Sequence, residues 1–177
     1  MATLLVANAG GHLHELWELL PRIGGIDLDA PTWVTFDTAQ SRSLLAGADV
    51  VFAPYPRPRD PVVTLRHAVL AHRLLRRRRY ENVISTGSSI AVAFLPEARL
   101  MGSACHYIES ATRLAGPSLT GRILARTPGI HVYSQVPGWP EPPWHVRGSV
   151  FDGYRAEDSA QLPPRLRRVV VAVGSSE

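Results

Sequence analysis

The feature that most constrains this chain is a regular alternation of short apolar runs with helix-length segments between Thr3 and Tyr133. Six runs have the apolar and β-branched character of strands: Thr3–Asn8, Thr32–Phe36, Asp49–Ala53, Asn82–Ser85, His106–Ile108 and Ile130–Tyr133. The segments between them contain apolar residues at helical spacing or stop at glycine, as helices do. Strands alternating with helices predict an α/β fold with a doubly wound, mostly parallel sheet of Rossmann-like type.

The character of the chain changes after Tyr133. Residues 137–144 are rich in proline, and His145–Val150 is a candidate last strand. We predict one domain over residues 1–151 and a polar linker over residues 152–168. Residues 169–177 combine a valine-rich strand with a glycine turn, which predicts the first strand of a C-terminal domain that is absent or supplied by a partner. The alternative is that this strand pairs with the edge of the existing sheet.

Composition excludes several classes of protein. A single cysteine among 177 residues excludes a disulfide framework and a cysteine-based zinc cluster. His, Asp and Glu do not occur at metal-ligand spacing, so we expect neither a metal site nor a cofactor. Because the first strand follows Ala2 directly, a signal peptide has no room, and we expect a cytoplasmic protein. The net charge of +4 favours anionic partners, but the scattered aromatic residues do not indicate nucleic acid.

Two glycine-containing turns each follow a strand and open a helix. The first contains Gly10 and Gly11, and the second is the run Thr86-Gly87-Ser88-Ser89. Glycine allows close approach of a ligand to the backbone, and free N–H groups at a helix N-terminus favour an anion. Both turns are therefore candidate phosphate-binding sites, with simple helix capping as the alternative for the second. Neither the dinucleotide fingerprint nor the lysine-containing phosphate loop is present.

Two residues at these strand ends are candidates for acid–base chemistry. His12 lies at the start of the first helix, where the helix dipole favours the neutral imidazole that can act as a base, and Glu15 is its better placed helical partner. The alternative is that His12 is a capping or solvated residue. Glu109 follows the fifth strand and is a candidate base or sugar ligand, or the capping partner of the next segment. Arg113 lies just beyond and is a candidate phosphate ligand.

The segment Val62–Tyr80 is predicted to form a long, arginine-rich helix. We expect its core-facing stripe to comprise Leu65, Ala68, Val69, His72 and Leu75. The opposite side would present a candidate surface for an anionic membrane, formed by Leu70, Leu74, Arg66, Arg73 and Arg77. The alternative is that the two leucines pack beneath a neighbouring loop.

Four segments in order resemble one family of proteins. They are the opening Asn-Ala-Gly-Gly-His-Leu-His-Glu-Leu, the block Ser85–Glu109, Leu119–Arg122 and Arg147–Phe151. The chain from residue 3 to residue 151 resembles bacterial exopolysaccharide biosynthesis proteins of the PssD type. Those are similar to the membrane-recruiting subunit of the eukaryotic transferase that adds the second GlcNAc to a dolichol-linked sugar, and to the enzyme that completes lipid II.

The resemblance implies the N-terminal, acceptor-binding half of a GT-B glycosyltransferase. The glycine turns would hold the diphosphate of a polyprenyl-linked sugar, and His12, or less favourably Glu109, would deprotonate the attacking hydroxyl. The C-terminal half or a partner would bind the donor, a UDP-sugar, at the inner face of the plasma membrane. Two alternatives stay open: a non-catalytic subunit that recruits a catalytic chain to the membrane, and a protein similar to UDP-sugar epimerases.

Overall fold

A computed structural model describes residues 2–55 and 61–154. Its seven strands are β1 (Thr3–Ala7), β2 (Thr32–Phe36), β3 (Asp49–Ala53), β4 (Asn82–Gly87), β5 (Ala104–Ile108), β6 (Ile130–Ser134) and β7 (Trp144–Val146). Its five α-helices are α1 (Gly11–Leu19), α2 (Ala39–Leu44), α3 (Pro61–Arg77), α4 (Ser89–Leu100) and α5 (Leu119–Leu124). Two 3₁₀ turns, Leu20–Arg22 and Val150–Gly153, complete the described elements.

The strands form one sheet in the order β3-β2-β1-β4-β5-β6-β7, and every pairing is parallel. This confirms the predicted Rossmann-like, doubly wound α/β fold. The chain builds outward from β1 to β3 and then returns, so that β4 lies beside β1. The carboxyl ends of β1 and β4 therefore flank the point where the strand order reverses, which is where ligands bind in sheets of this type.

Helices cover the two faces of the sheet unequally. On one face α3, α4 and α5 bury a large core that includes Ala71, Phe94 and Leu124. On the other face α1 contributes Leu13 and Leu16 to a smaller cluster over β1, β2 and β4. The strands that lie between these clusters are buried on both faces, which explains their nearly continuous apolar sequences.

Most predicted boundaries of the first six strands coincide with the structure and the others differ by one or two residues, but the end of the domain differs more. The last strand is Trp144–Val146 and is followed by the turn Val150–Gly153, whereas a strand over His145–Val150 was expected. Ser149 explains the change, because its side chain accepts from the Phe151 N–H and caps the turn. The predicted linker, beyond Tyr154, and the strand at 169–177 lie outside the described residues.

The only cysteine, Cys105, is fully buried beneath α4, and its thiol donates to the carbonyl of Leu95 at 3.4 Å. Burial raises the pKa of this thiol to about 12, because the thiolate cannot be solvated there. We expect no reaction with a thiol reagent at pH 8 while the chain is folded, and complete reaction after denaturant is added. Rapid labelling of the native chain would contradict the buried position.

Candidate functional site

The two glycine-containing turns meet at the reversal point of the sheet. The backbone N–H of Asn8 donates to the carbonyl of Gly87 at 2.8 Å. The Asn8 side chain donates from Nδ2 to Ser88 Oγ at 3.0 Å and accepts from the Ser88 N–H at 3.1 Å. These bonds join turns that are 80 residues apart in sequence into a single unit.

Hydrogen bonds within the protein already occupy part of the first turn. The Gly10 N–H donates to Gln40 Oε1 at 2.7 Å, and Gln40 Nε2 donates back to the Gly10 carbonyl at 3.3 Å. Gly10 has φ of 96°, a left-handed conformation that strains other residues. The N–H groups of Gly11 and His12 have no acceptor among the described residues, so they are the groups of this turn that can meet an anion.

His12 lies between the two turns. A Cβ atom at Gly87 would lie 3.6 Å from His12 Cε1, so the absence of a side chain there makes room for the imidazole. The ring is half-buried, and its Nδ1 is inaccessible to solvent without a hydrogen-bond partner. Neither ring nitrogen has a hydrogen bond to any residue that the structure describes. Because Nδ1 is closed off from solvent, Nε2 is the ring nitrogen left to accept a proton from a ligand.

The predicted pairing of His12 with Glu15 is not present. Glu15 is buried, and its Oε1 accepts from the Ala111 N–H and from Gln135 Nε2, each at 2.7 Å. The side chain of Gln135, a residue that the sequence analysis did not single out, also accepts a hydrogen bond at Oε1 from the Val150 N–H, at 2.7 Å. Glu15 and Gln135 thus fix the loop after β5 and the turn at Val150, which form one wall of the site.

Glu109 is a buried structural carboxylate, with only 2% of its surface exposed. Its Oε1 accepts from the Tyr107 hydroxyl at 3.0 Å, and its Oε2 accepts from Ser118 N–H at 2.9 Å and Ser118 Oγ at 2.8 Å. Burial and the neighbouring Glu109 raise the pKa of Tyr107. Oε2 thus holds Ser118, the N-cap of α5, while Oε1 is occupied by Tyr107, and this geometry favours the capping alternative for Glu109 over a role as base.

Gly121 is the residue that allows Glu109 to lie beneath α5. A Cβ atom there would overlap Oε2 of Glu109 and lie 3.0 Å from Trp144 Cη2. We expect Gly121→Ala to lower the free energy of unfolding by about 1–3 kcal/mol, the usual cost of overpacking. Gly24→Ala, at a position with open space, is the matched control for urea titration. Equal stability of the two variants would contradict this packing.

A cavity of about 1120 Å³ opens at the carboxyl ends of β1 to β5. Of the predicted site residues, it is lined by Gly10, Gly11, His12, Ser88, Glu109 and Arg113. Thr86 and Gly87 lie behind it, and the Thr86 hydroxyl donates to the carbonyl of His12 at 2.7 Å. Ser89 is exposed but is not part of the lining. Phe36 and Tyr55 line one end of the cavity, and Phe151 and Tyr154 also line it.

The predicted stripe of α3 is wrong except at Leu75, because Leu65, Ala68, Val69 and His72 are exposed. Val63, His67, Ala71 and Leu75 face the core, while Leu70 and Leu74 are half-buried against it. His67 takes an inner position because its Nε2 is 2.7 Å from the Pro54 carbonyl. The two leucines therefore do not form an exposed membrane surface with Arg66, Arg73 and Arg77. The exposed apolar side chains of α3 are Val62, Leu65 and Val69, on the same outer side as these arginines.

A second cavity, of about 610 Å³, lies on the face of the sheet that α1 covers only in part. Ile84, His106, Ile108 and Tyr133 contribute to its lining. Burial and the neighbouring His131 lower the pKa of His106, which stacks on His131 with 5.3 Å between ring centroids. None of the predicted site residues lies in this cavity. Gly24, Gly25 and Gly148 also line it, but it offers mainly an apolar surface, and none of the α-helices described above begins there.

The described residues contain no group of three or more histidine, cysteine, aspartate or glutamate side chains placed to hold a metal ion. Within the same part of the chain, none of the helices has the length and apolar character needed to cross a bilayer.

Comparisons with solved structures place this architecture among GT-B-like proteins. The chain is similar to MurG from Acinetobacter baumannii, with a TM-score of 0.64 and 18% identity over 82% of this chain and 45% of that one. It is also similar to UDP-GlcNAc 2-epimerase from Methanocaldococcus jannaschii, with a TM-score of 0.58 and 11% identity over 86% of this chain and 47% of that one. No protein-family model and no curated protein matches the sequence.

The protein is thus a Rossmann-like α/β domain of the kind found in GT-B glycosyltransferases. The chain spans less than half the length of either similar structure. At these identities the likeness establishes the fold, and the chemistry must be argued from the cavity.

Proposed function

We propose that this chain is the acceptor-binding half of a glycosyltransferase that acts on a polyprenyl-diphosphate-linked sugar. The observation that carries the proposal is the composition of the carboxyl-end cavity. It combines the free N–H groups of Gly11 and His12, the Arg113 side chain and an unpaired imidazole. Backbone N–H groups and an arginine bind phosphate oxygens, and a free imidazole accepts a proton.

In this proposal each group has one task. Gly11, Ser88 and Arg113 bind the diphosphate, while Gly10 shapes the turn that Gln40 holds. His12 accepts the proton of the acceptor hydroxyl as that oxygen attacks the anomeric carbon of the donor sugar. The bond from that carbon to the nucleotide diphosphate breaks, and the nucleoside diphosphate leaves. The donor, a UDP-sugar, binds to a C-terminal half, which is consistent with the share of each similar structure that this chain covers.

A second candidate function is recruitment of a separate catalytic chain to an anionic membrane, such as the inner face of the plasma membrane. The outer side of α3 favours it, because Val62, Leu65 and Val69 are exposed beside Arg66 and Arg73. A surface of this kind binds anionic lipid less strongly as salt screens its charges. In this function the imidazole of His12 has no chemical task.

Sugar transfer tests the proposal. We expect transfer of a labelled sugar from UDP-sugar to a polyprenyl-diphosphate sugar only when this chain is combined with a donor-binding half. His12→Ala should lower transfer by about 10²- to 10⁴-fold without weakening the association of the two halves. Full transfer with His12→Ala would favour the recruiting function, whereas acceptor-independent conversion of the UDP-sugar into its epimer would favour the epimerase alternative.

A further inference from the structure

Four exposed apolar side chains belong to segments whose residues line the carboxyl-end cavity, namely the loop after β5, the start of α5 and the turn at Val150 with the residue after it. Leu114, Leu119, Phe151 and Tyr154, which we call the apolar rim, are 75%, 74%, 62% and 62% exposed. Phe151 and Tyr154 line the cavity directly. Leu114 and Leu119 each follow a residue that lines it, Arg113 and Ser118 respectively. Clustered exposed apolar groups of this size beside a cavity are characteristic of binding surfaces.

The backbone that carries the apolar rim is anchored within the described chain. Val150, next to Phe151, packs with Ala111 and Leu19 in a small buried cluster. The Arg22 guanidinium donates to the carbonyls of Ser149 and Val150 at 2.8 and 3.1 Å. Ser118, next to Leu119, is held by Glu109. The rim side chains are therefore exposed to water on backbone segments that hydrogen bonds and packing hold in place, both around Ser118 and around Val150.

We propose that the apolar rim binds the isoprenoid chain of the lipid-linked acceptor, an inference that rests on the proposed function. The cavity and its surroundings supply groups suited to each part of such a molecule. The Gly11 and His12 N–H groups face the polar part, Arg113 has no carboxylate partner within the described chain and takes the diphosphate, and the rim follows directly after Arg113.

The apolar residues on the outer side of α3 are less suited to this task. None of Val62, Leu65 and Val69 lines the cavity that would hold the diphosphate. Leu114 follows Arg113 directly in sequence and Phe151 lines the same cavity as Arg113, so a chain attached to a diphosphate at Arg113 starts close to rim residues. Burial of this chain removes apolar surface of both ligand and rim from water, so that affinity must increase with chain length.

A series of diphosphates tests this subsite without needing a donor or a second half. Inorganic pyrophosphate, dimethylallyl, geranyl and farnesyl diphosphate share one anionic group and differ in apolar length. By isothermal titration calorimetry we expect the affinity of the wild-type chain to rise about tenfold per added isoprene unit, as for burial of about two methylene groups. The double variant Leu114→Ser/Leu119→Ser should reduce that increment to about twofold and leave the affinity for pyrophosphate unchanged.

Leu100→Ser is the matched control, because Leu100 is 84% exposed at the far end of α4. An unchanged length increment in the double variant, or an equal loss in the control, would overturn the subsite while leaving diphosphate binding intact. Loss of binding to anionic vesicles without a change in the length increment would show that the rim contacts a bilayer instead. Failure of every diphosphate to bind the wild-type chain would reject the proposed function itself.

Discussion

Replacement of His12 by alanine is expected to lower sugar transfer by about 10²- to 10⁴-fold, the usual contribution of a positioned general base. The reason is geometric: the imidazole lies between the two glycine turns, and its ring nitrogens bond to no other described residue. The measurement is kcat for transfer by the assembled enzyme, with the KM for the acceptor determined in parallel. Because the ring only receives a proton in this account, kcat should fall while KM changes little.

His72→Ala is the control for this variant. His72 lies on α3, is exposed and does not line the carboxyl-end cavity, and its Nδ1 is 2.7 Å from Glu97 Oε1. It should retain turnover within about twofold of the wild type, because a solvated side chain away from the cavity contributes little to a barrier. If the turnover of His12→Ala were within a few-fold of the wild-type value, His12 would not be the general base.

Replacement of Glu109 by alanine is expected to lower the free energy of unfolding by about 3–5 kcal/mol, because the change leaves buried donors without an acceptor. The groups concerned are the Tyr107 hydroxyl and the N–H and hydroxyl of Ser118. Urea titration measures the change, with Glu81→Ala as a control at an exposed carboxylate.

Glu109→Gln separates this structural role from catalysis. The amide retains one acceptor oxygen, so we expect a smaller loss of stability, about 1–2 kcal/mol, and a folded protein. The folded Glu109→Gln protein should transfer sugar at a rate within a few-fold of the wild-type rate. If the Glu109→Gln protein were stable but showed no turnover, the Glu109 carboxylate would have a role in the reaction. His12 would then no longer be the preferred candidate for the base.

The positions of the main strands could be predicted from sequence because buried parallel strands are nearly continuous apolar runs. The orientation of α3 about its own axis could not be predicted from sequence. Apolar residues occur around most of this helix, so periodicity did not distinguish the face that holds Ala71 from the face that holds Leu65. Contact with the core and the bond from His67 to Pro54 decide the orientation, and both depend on tertiary structure.

The same limit applies to the site. The two glycine turns and His12 are visible in sequence because they follow predicted strands, and parallel strands bring their carboxyl ends to one edge. Glu15 and Gln135 are bonded across 120 residues, and Glu15 reaches Ala111 across 96. Apart from each other, their partners are backbone N–H and C=O groups, which nearly every residue carries, so no residue pattern marks these contacts in advance.

The most direct test of the central claim is calorimetric titration of this chain with two ligands, a short-chain polyprenyl-diphosphate sugar and UDP. If the carboxyl-end cavity binds the acceptor, the lipid-linked sugar binds saturably and UDP does not. Arg113→Ala should weaken that binding by about tenfold, the usual contribution of a charge-assisted hydrogen bond. Binding of UDP with no binding of the lipid-linked sugar would contradict the account, since this half would then be the nucleotide-binding one.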